Sequence, residues 1–174
     1  MVEVEQRALG SFEQDLLAVL ERAFDEERRV RELGEEYGTT TGRERRCGWL
    51  DLVGLRFAVR VNGLTSLAVT KLDVLSAFAQ IPVCVRYRLP DGTETDEFPA
   101  HQSDFHHAEP VYEVLPGWQE PLDEVTEIDA LPAKARGYVE FVERELEVPV
   151  SLIGTGAERE RVLAPGTVEA LARP

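Results

Sequence analysis

The chain has 174 residues, 43% of them hydrophobic, and a formal net charge of −14. That length suits one domain able to bury roughly 70% of its unfolded surface, and the composition does not indicate disorder. So acidic a balance argues against nucleic acid and anionic membrane surfaces as partners, since both ask for cationic protein.

Residues Ser11 to Leu33 read as one amphipathic helix. Ser11 and Gln14 form a capping-box pair, and Phe12, Leu16, Leu17, Leu20 and Phe24 recur at helical spacing. Acids come early and Arg28, Arg29 and Arg31 late, which suits the helix dipole, and Gly34 is expected to end the helix. The stripe is assigned to packing. Residues 1–33 are therefore expected as an N-terminal helical region and 34–174 as one compact unit.

Tyr37–Trp49, Y-G-T-T-T-G-R-E-R-R-C-G-W, is a cationic island: three arginines and Glu44 give +2, leaving −16 for the rest. Arginine presents a planar fork that matches a carboxylate or phosphate in bidentate fashion. Gly38, Gly42 and Gly48 allow positive φ and close approach of a ligand. A solvated loop with incidental arginines is the plain alternative. Hydroxyls, glycines and arginines together favour an anion-binding loop. With like charges adjacent and no apolar anchor between Gly38 and Cys47, it is expected to be mobile until a dianion orders it.

A buried helix is expected over Leu50–Val61, closed by Asn62-Gly63, and a buried strand over Leu67–Leu72. Pro82–Leu89 and Thr93–Phe98 read as a surface hairpin around Asp91-Gly92. From Leu89 to Ala133 there are twelve acids and no lysine or arginine. Pro99, Pro110, Pro116, Pro121 and Pro132 mark a loop-rich connection containing one strand, Val111–Leu115. His101, Asp104, His106 and His107 invite a metal reading, which is set aside because their spacing matches no familiar pattern. Pro132 opens a helix whose buried face is Ala135, Tyr138, Val139, Val142 and Leu146. Val150–Ile153 follows as a strand, and Gly154-Thr155-Gly156 turns at its carboxyl end, where open α/β sheets bind ligands. Pro165–Pro174 shows no legible chemistry.

Thr70–Asp73, T-K-L-D, closes an apolar run. A carboxylate there can accept side by side from a guanine ring N–H and its exocyclic amine, a donor pair adenine lacks. Lys71, expected two residues earlier on the same strand face, would lay its stem over the base. A solvated pair ending a strand is the plain alternative. Lys71 is one of only two lysines, with Lys134, against seventeen arginines that suggest genomic or salt-adapted bias.

Cys47 and Cys84 are the only cysteines and read as free thiols of a reducing cytoplasm. The N-terminus lacks an apolar h-region and no apolar run approaches the ~20 residues of a membrane span. A soluble, cytoplasmic chain is the expectation.

The ordered set T-T-G-R-x-R-R-C-G-W-L-D, A-V-R-V-N-G-L-T, T-K-L-D-V-L and P-V-Y-E-V-L-P-G-W resembles the C-terminal portion of the adenylosuccinate synthase family. S-D-F-H-H-A is similar to a segment of some members, and the likeness runs from about Gly34 to Arg161. The resemblance implies an α/β fold, a mixed sheet flanked by helices, as in the P-loop NTPase-like synthase fold. It implies GTP-dependent joining of IMP and L-aspartate in AMP biosynthesis: GTP phosphorylates the 6-oxygen of IMP and aspartate displaces the phosphate. Thr39, Thr40, Thr41, Gly42, Arg43 and Arg45 would then form the loop binding IMP and aspartate. Lys71, Leu72, Asp73, Gly154, Thr155, Gly156 and Arg45 would hold GTP.

The sequence departs from the family at three positions and in one larger respect. Glu44 stands where proline or a basic residue is common, Gly154 where serine is frequent and Ala157 where proline is. The family's opening phosphate loop, G-D-E-G-K-G-K, supplies its general base and magnesium ligand, and nothing in these residues matches it or any G-x-x-x-x-G-K. Neither does the family's catalytic histidine have a counterpart. Phosphoryl transfer rests on positioning and electrostatic stabilisation, so no catalytic residue is assigned and the chain alone is expected to be inactive. Mg2+ is implied by the family but finds no ligand here. Implied partners are GTP, IMP and L-aspartate, with a separate N-terminal synthase chain or a homodimer. A split-gene subunit, a truncated product and a misplaced start all fit. The alternative from another class is a non-catalytic guanine-nucleotide or interaction module.

Overall fold

The computed structural model describes residues 25–164. The first half of the expected Ser11–Leu33 helix, with its stripe from Phe12 to Phe24, and the stretch Pro165–Pro174 lie outside the described residues. The chain divides after Gly48 into two units, and each is described by itself.

In the first unit, helix α1 covers residues 25–33. Gly34 N–H closes back on the Val30 carbonyl at 2.9 Å and Glu36 N–H on that of Arg31 at 2.9 Å. The left-handed position that ends the helix belongs to Glu35 (φ 49), not to Gly34. A residue with a Cβ is therefore held where glycine is the usual choice. Residues 36–45 then double back as a tight hairpin bridged at Tyr37 and Glu44.

The second unit has two sheets. The first is mixed: β1 (Leu50–Asp51) runs parallel to β3 (Gln80–Arg88), which pairs antiparallel with β4 (Glu94–Thr95) and with β5 (Glu109–Pro116). The second joins β2 (Leu67–Val69) parallel to β6 (Val150–Gly154), with β7 (Val162–Leu163) antiparallel on β6. With α2 (Leu52–Asn62) and α5 (Ala133–Leu146), this is the α/β class the resemblance implied.

Asp51 starts α2 by accepting from Val53 N–H at 3.0 Å and Gly54 N–H at 3.1 Å. Such a cap satisfies two of the four orphan donors of a helix. Gly63, at φ 59, ends α2 as Asn62-Gly63 suggested. The helix is not buried all round, however. Leu52 and Val53 are fully covered while Val61 is 63% exposed, so the near-continuous apolar run overstated its burial. Arg56 ties the helix inward, donating to the carbonyls of Glu145 at 3.1 Å and Val85 at 3.0 Å and to Glu145 Oε2 at 2.7 Å.

α5 begins at Ala133, one residue after Pro132, which serves as its N-cap. The expected face is buried, together with Phe141, and Glu147 at φ 55 stops the helix. The expected hairpin exists, but β3 is the central strand of its sheet rather than a surface element. The acid-rich connection holds more structure than expected. β5 outruns Val111–Leu115 at both ends, and S-D-F-H-H lies in helix α4 (Gln102–His107). Phe105 packs at 4.8 Å, centroid to centroid, on Phe98, which stacks at 5.0 Å on Phe57. Aromatic packing from distant segments overrides the local composition there. Among the described residues no helix is long and apolar enough to cross a membrane.

Candidate nucleotide site

β2 stops at Val69, so the expected strand Leu67–Leu72 is shortened by three residues. Lys71 takes the left-handed conformation (φ 59, ψ 36), and Leu72–Leu75 forms the short helix α3. Lys71 and Asp73 therefore do not share a strand face, as the alternation had implied. A left-handed turn separates them, and a non-glycine residue there carries about 1–2 kcal/mol of strain. Leu72 is fully buried and fixes the turn from below.

The carboxylate of Asp73 is the informative group. Its Oδ1 is the one side-chain oxygen or nitrogen among the described residues that is buried without a hydrogen-bond partner. Leaving such an acceptor unmet costs about 1–3 kcal/mol, and more when it is charged. A site that supplies donors removes that cost.

Gly154-Thr155-Gly156 lies alongside. β2 and β6 pair in parallel through Val69 and Ile153, so both loops leave the carboxyl ends of neighbouring strands. A Cβ on Gly154 would sit 3.4 Å from Thr70 Cα and 3.7 Å from Lys71 N. A side chain at position 154 would make ordinary van der Waals contact with the T-K-L-D backbone at that point. Thr155 is 1% exposed, and its N–H and Oγ1 both donate to the Arg161 carbonyl, at 2.8 and 3.2 Å. A return turn from Glu158 to Arg161 thus clamps the G-T-G segment.

Two supports were not singled out from the sequence. Trp118 is buried and its Nε1 donates to Ser76 Oγ at 2.7 Å, holding the end of α3. Gly117 precedes it where a Cβ would fall 1.9 Å from the Phe78 carbonyl oxygen, which accounts for P-G-W. Lys134 donates to the Gly117 carbonyl at 3.0 Å, so the second lysine braces the same corner.

The arginine loop belongs to the other unit. Gly42 N–H donates to Gly38 O at 2.7 Å and Gly38 N–H to Arg43 O at 2.8 Å, with Gly42 at φ 65. Thr39, Thr40, Thr41, Gly42, Arg43 and Arg45 are all exposed. The guanidinium of Arg45 meets Glu36 at 2.8 Å, and Glu44 pairs with Arg31 of α1 at 3.1 Å. Internal carboxylates thus neutralise part of the island. Cys47 and Cys84 are both free thiols.

Among the described residues no three His, Cys, Asp or Glu are grouped so as to hold a metal ion.

The family model described as adenylosuccinate synthetase matches residues 9–163. The chain belongs to the adenylosuccinate synthetase family. It is 53% identical over 135 residues to an adenylosuccinate synthetase of Acidothermus cellulolyticus, covering 78% of this chain and 32% of that protein. It is 50% identical over 141 residues to one of Streptomyces coelicolor, covering 80% and 33%. A solved structure titled as the fully ligated adenylosuccinate synthetase from Plasmodium falciparum superposes with a TM-score of 0.77 at 37% identity, over 81% of this chain and 34% of that one. The chain thus spans about a third of the length of the synthetases it matches.

Proposed function

We propose that this chain supplies the guanine-binding loops and the aspartate loop of a GTP-dependent ligase that joins IMP to L-aspartate. Lys71 and Asp73 face the base on a turn that Leu72 anchors in the core, and Gly154, Thr155 and Gly156 close beside it. Asp73 accepts from the guanine ring N–H and amine, and adenine, lacking that pair, leaves the carboxylate unmet. Thr39, Thr40, Thr41, Gly42 and Arg43 receive IMP and aspartate, and Arg45 serves both the aspartate and the GTP ribose. The observation that carries the reading is the buried, partnerless Oδ1 of Asp73 beside the clamped G-T-G turn.

These 174 residues hold no G-x-x-x-x-G-K, so turnover is assigned to the chain only together with polypeptide that brings such a loop. The same observation favours a second reading, a guanine-nucleotide module without catalysis. Titration calorimetry of the chain with GTP and with ATP tests the shared part: GTP binds and ATP does not. Equal affinity for the two overturns the guanine assignment. Synthesis of adenylosuccinate by the pure chain alone would overturn the division of labour.

A further inference from the structure

Helix α3 is one turn long, Leu72–Leu75, and its N-cap, Lys71, makes no side-chain capping bond. A single turn fixes several torsions for very few hydrogen bonds, so it does not hold its own direction. Asp73 nevertheless stands on it, and a carboxylate that meets two donors side by side has to be aimed within a narrow angle. Whatever fixes α3 therefore fixes how Asp73 meets a base. Leu72 and Val74 are buried and hold the core side of the turn. A second hold sits at its carboxyl end. Ser76 N–H donates to the Asp73 carbonyl at 3.0 Å, and Ser76 Oγ accepts from Trp118 Nε1 at 2.7 Å. An indole N–H can only donate, so the sense of that bond is fixed.

Trp118 is itself held from several sides. It is buried, and its ring lies 6.0 Å, centroid to centroid, from that of Tyr138 in α5. The residue before it, Gly117, donates its N–H to the Ala79 carbonyl at 2.9 Å and accepts from Lys134 Nζ at 3.0 Å. A Cβ there would fall 1.9 Å from the Phe78 carbonyl oxygen, so only glycine lets the chain lie this close. From that fixed point the indole reaches back 42 positions to the end of α3. We propose that Trp118 is a positioning residue for guanine recognition: through Ser76 it sets the direction in which Asp73 presents its carboxylate. The inference rests on the proposed guanine site. A packing role alone would weaken every nucleotide alike. An aiming role shows in the choice of base, because a paired contact fails when the carboxylate turns and a single one survives.

The test is calorimetric titration of the full chain with GTP and with inosine triphosphate, which keeps the ring N–H and lacks the exocyclic amine. The unaltered chain should prefer GTP by about tenfold or more. Trp118→Phe keeps a ring in the core and drops the N–H, whereas Ser76→Ala keeps the indole and drops its acceptor. In each the preference should fall to about threefold or less, chiefly through weaker GTP binding. Ser76→Thr, which restores a hydroxyl, should keep it. Acting through one bond, the double variant should lose no more preference than either single variant. Without nucleotide, amide exchange of Ser76 should quicken about tenfold in both variants. Ser76→Ala, at a half-buried position, carries the test if Trp118→Phe fails to fold. Folded variants that lose GTP and inosine triphosphate equally would make Trp118 a packing residue and overturn the proposal. So would unchanged Ser76 exchange, or losses that add in the double variant. A preference that survives in both variants sinks the positioning role alone. An unaltered chain with no preference sinks the guanine reading and this role with it.

Discussion

Thr39–Arg45 and Thr70–Asp73 are both short, charged and set beside glycine, yet their main chains are held by different means. The first closes on itself through local hydrogen bonds and leaves every side chain in solvent, with Arg45 resting on Glu36. The second hangs from a parallel strand, is anchored by fully buried Leu72 beside Gly154, and leaves a carboxylate oxygen unmet. A pocket that must discriminate one base from another gains from rigid, prepaid geometry, because its donors and acceptors need no rearrangement. A loop for a small, soluble dianion can exchange an internal carboxylate for an external one.

The widest separation should appear in stability. Leu72→Ala removes a fully buried side chain and is expected to cost about 2–5 kcal/mol by urea unfolding. Arg43→Ala, at an exposed hairpin position, should leave the midpoint where it is. Equal losses would break the contrast.

The two cysteines sharpen it. Cys84 is buried, and burial first, then the negative charge of Asp51, pushes its thiol up to about 11. The folded state therefore holds that proton longer than the unfolded one. This contribution is complete below the ordinary thiol value near 9 and is lost as pH rises toward 11. Alkaline titration of stability should show the decline, and Cys84→Ser, which does not titrate there, should reduce it, leaving above pH 10 the part due to the Tyr87 and Tyr138 hydroxyls, which burial also pushes up. Half-buried Cys47 in the arginine loop should meanwhile react with a thiol reagent at pH 8 about tenfold faster or more than Cys84. Equal labelling rates would mean that β3 opens as readily as the hairpin.

The smallest effect concerns exchange of partners. Glu36→Gln frees the guanidinium of Arg45, whose partner is only partly exposed at 22%. Under the proposed ligase function, the KM for aspartate should fall about twofold, in keeping with the small worth of such ion pairs. A raised KM would show that Glu36 positions Arg45 rather than competing for it.

Much of the second unit was legible because its signals are local. Asp91-Gly92 marks the turn between β3 and β4, and the stripe from Ala135 to Leu146 marks the buried face of α5. The geometry of the T-K-L-D loop was not legible. L-A-V-T-K-L alternates like a strand, but Leu72 is drawn into the core as the first residue of α3, which forces Lys71 into a left-handed turn. Likewise α4 depends on Phe57, Phe98 and Tyr87, which are scattered along the chain. Neither Trp118 on Ser76 nor Asp51 accepting from the Tyr87 hydroxyl has a sequence signal beyond the residues themselves. Each is a contact between segments at least thirty-six positions apart.

The measurement closest to the central claim is nucleotide choice by Asp73→Asn. The variant turns one acceptor into a donor facing the guanine amine, so GTP binding should weaken by about 1–3 kcal/mol. Xanthosine triphosphate, with a carbonyl in place of that amine, should then bind better than GTP in a calorimetric titration. Unchanged GTP affinity in the variant, with no gain for the xanthine nucleotide, would contradict the guanine site and leave Thr70–Asp73 as a structural turn between β2 and α3.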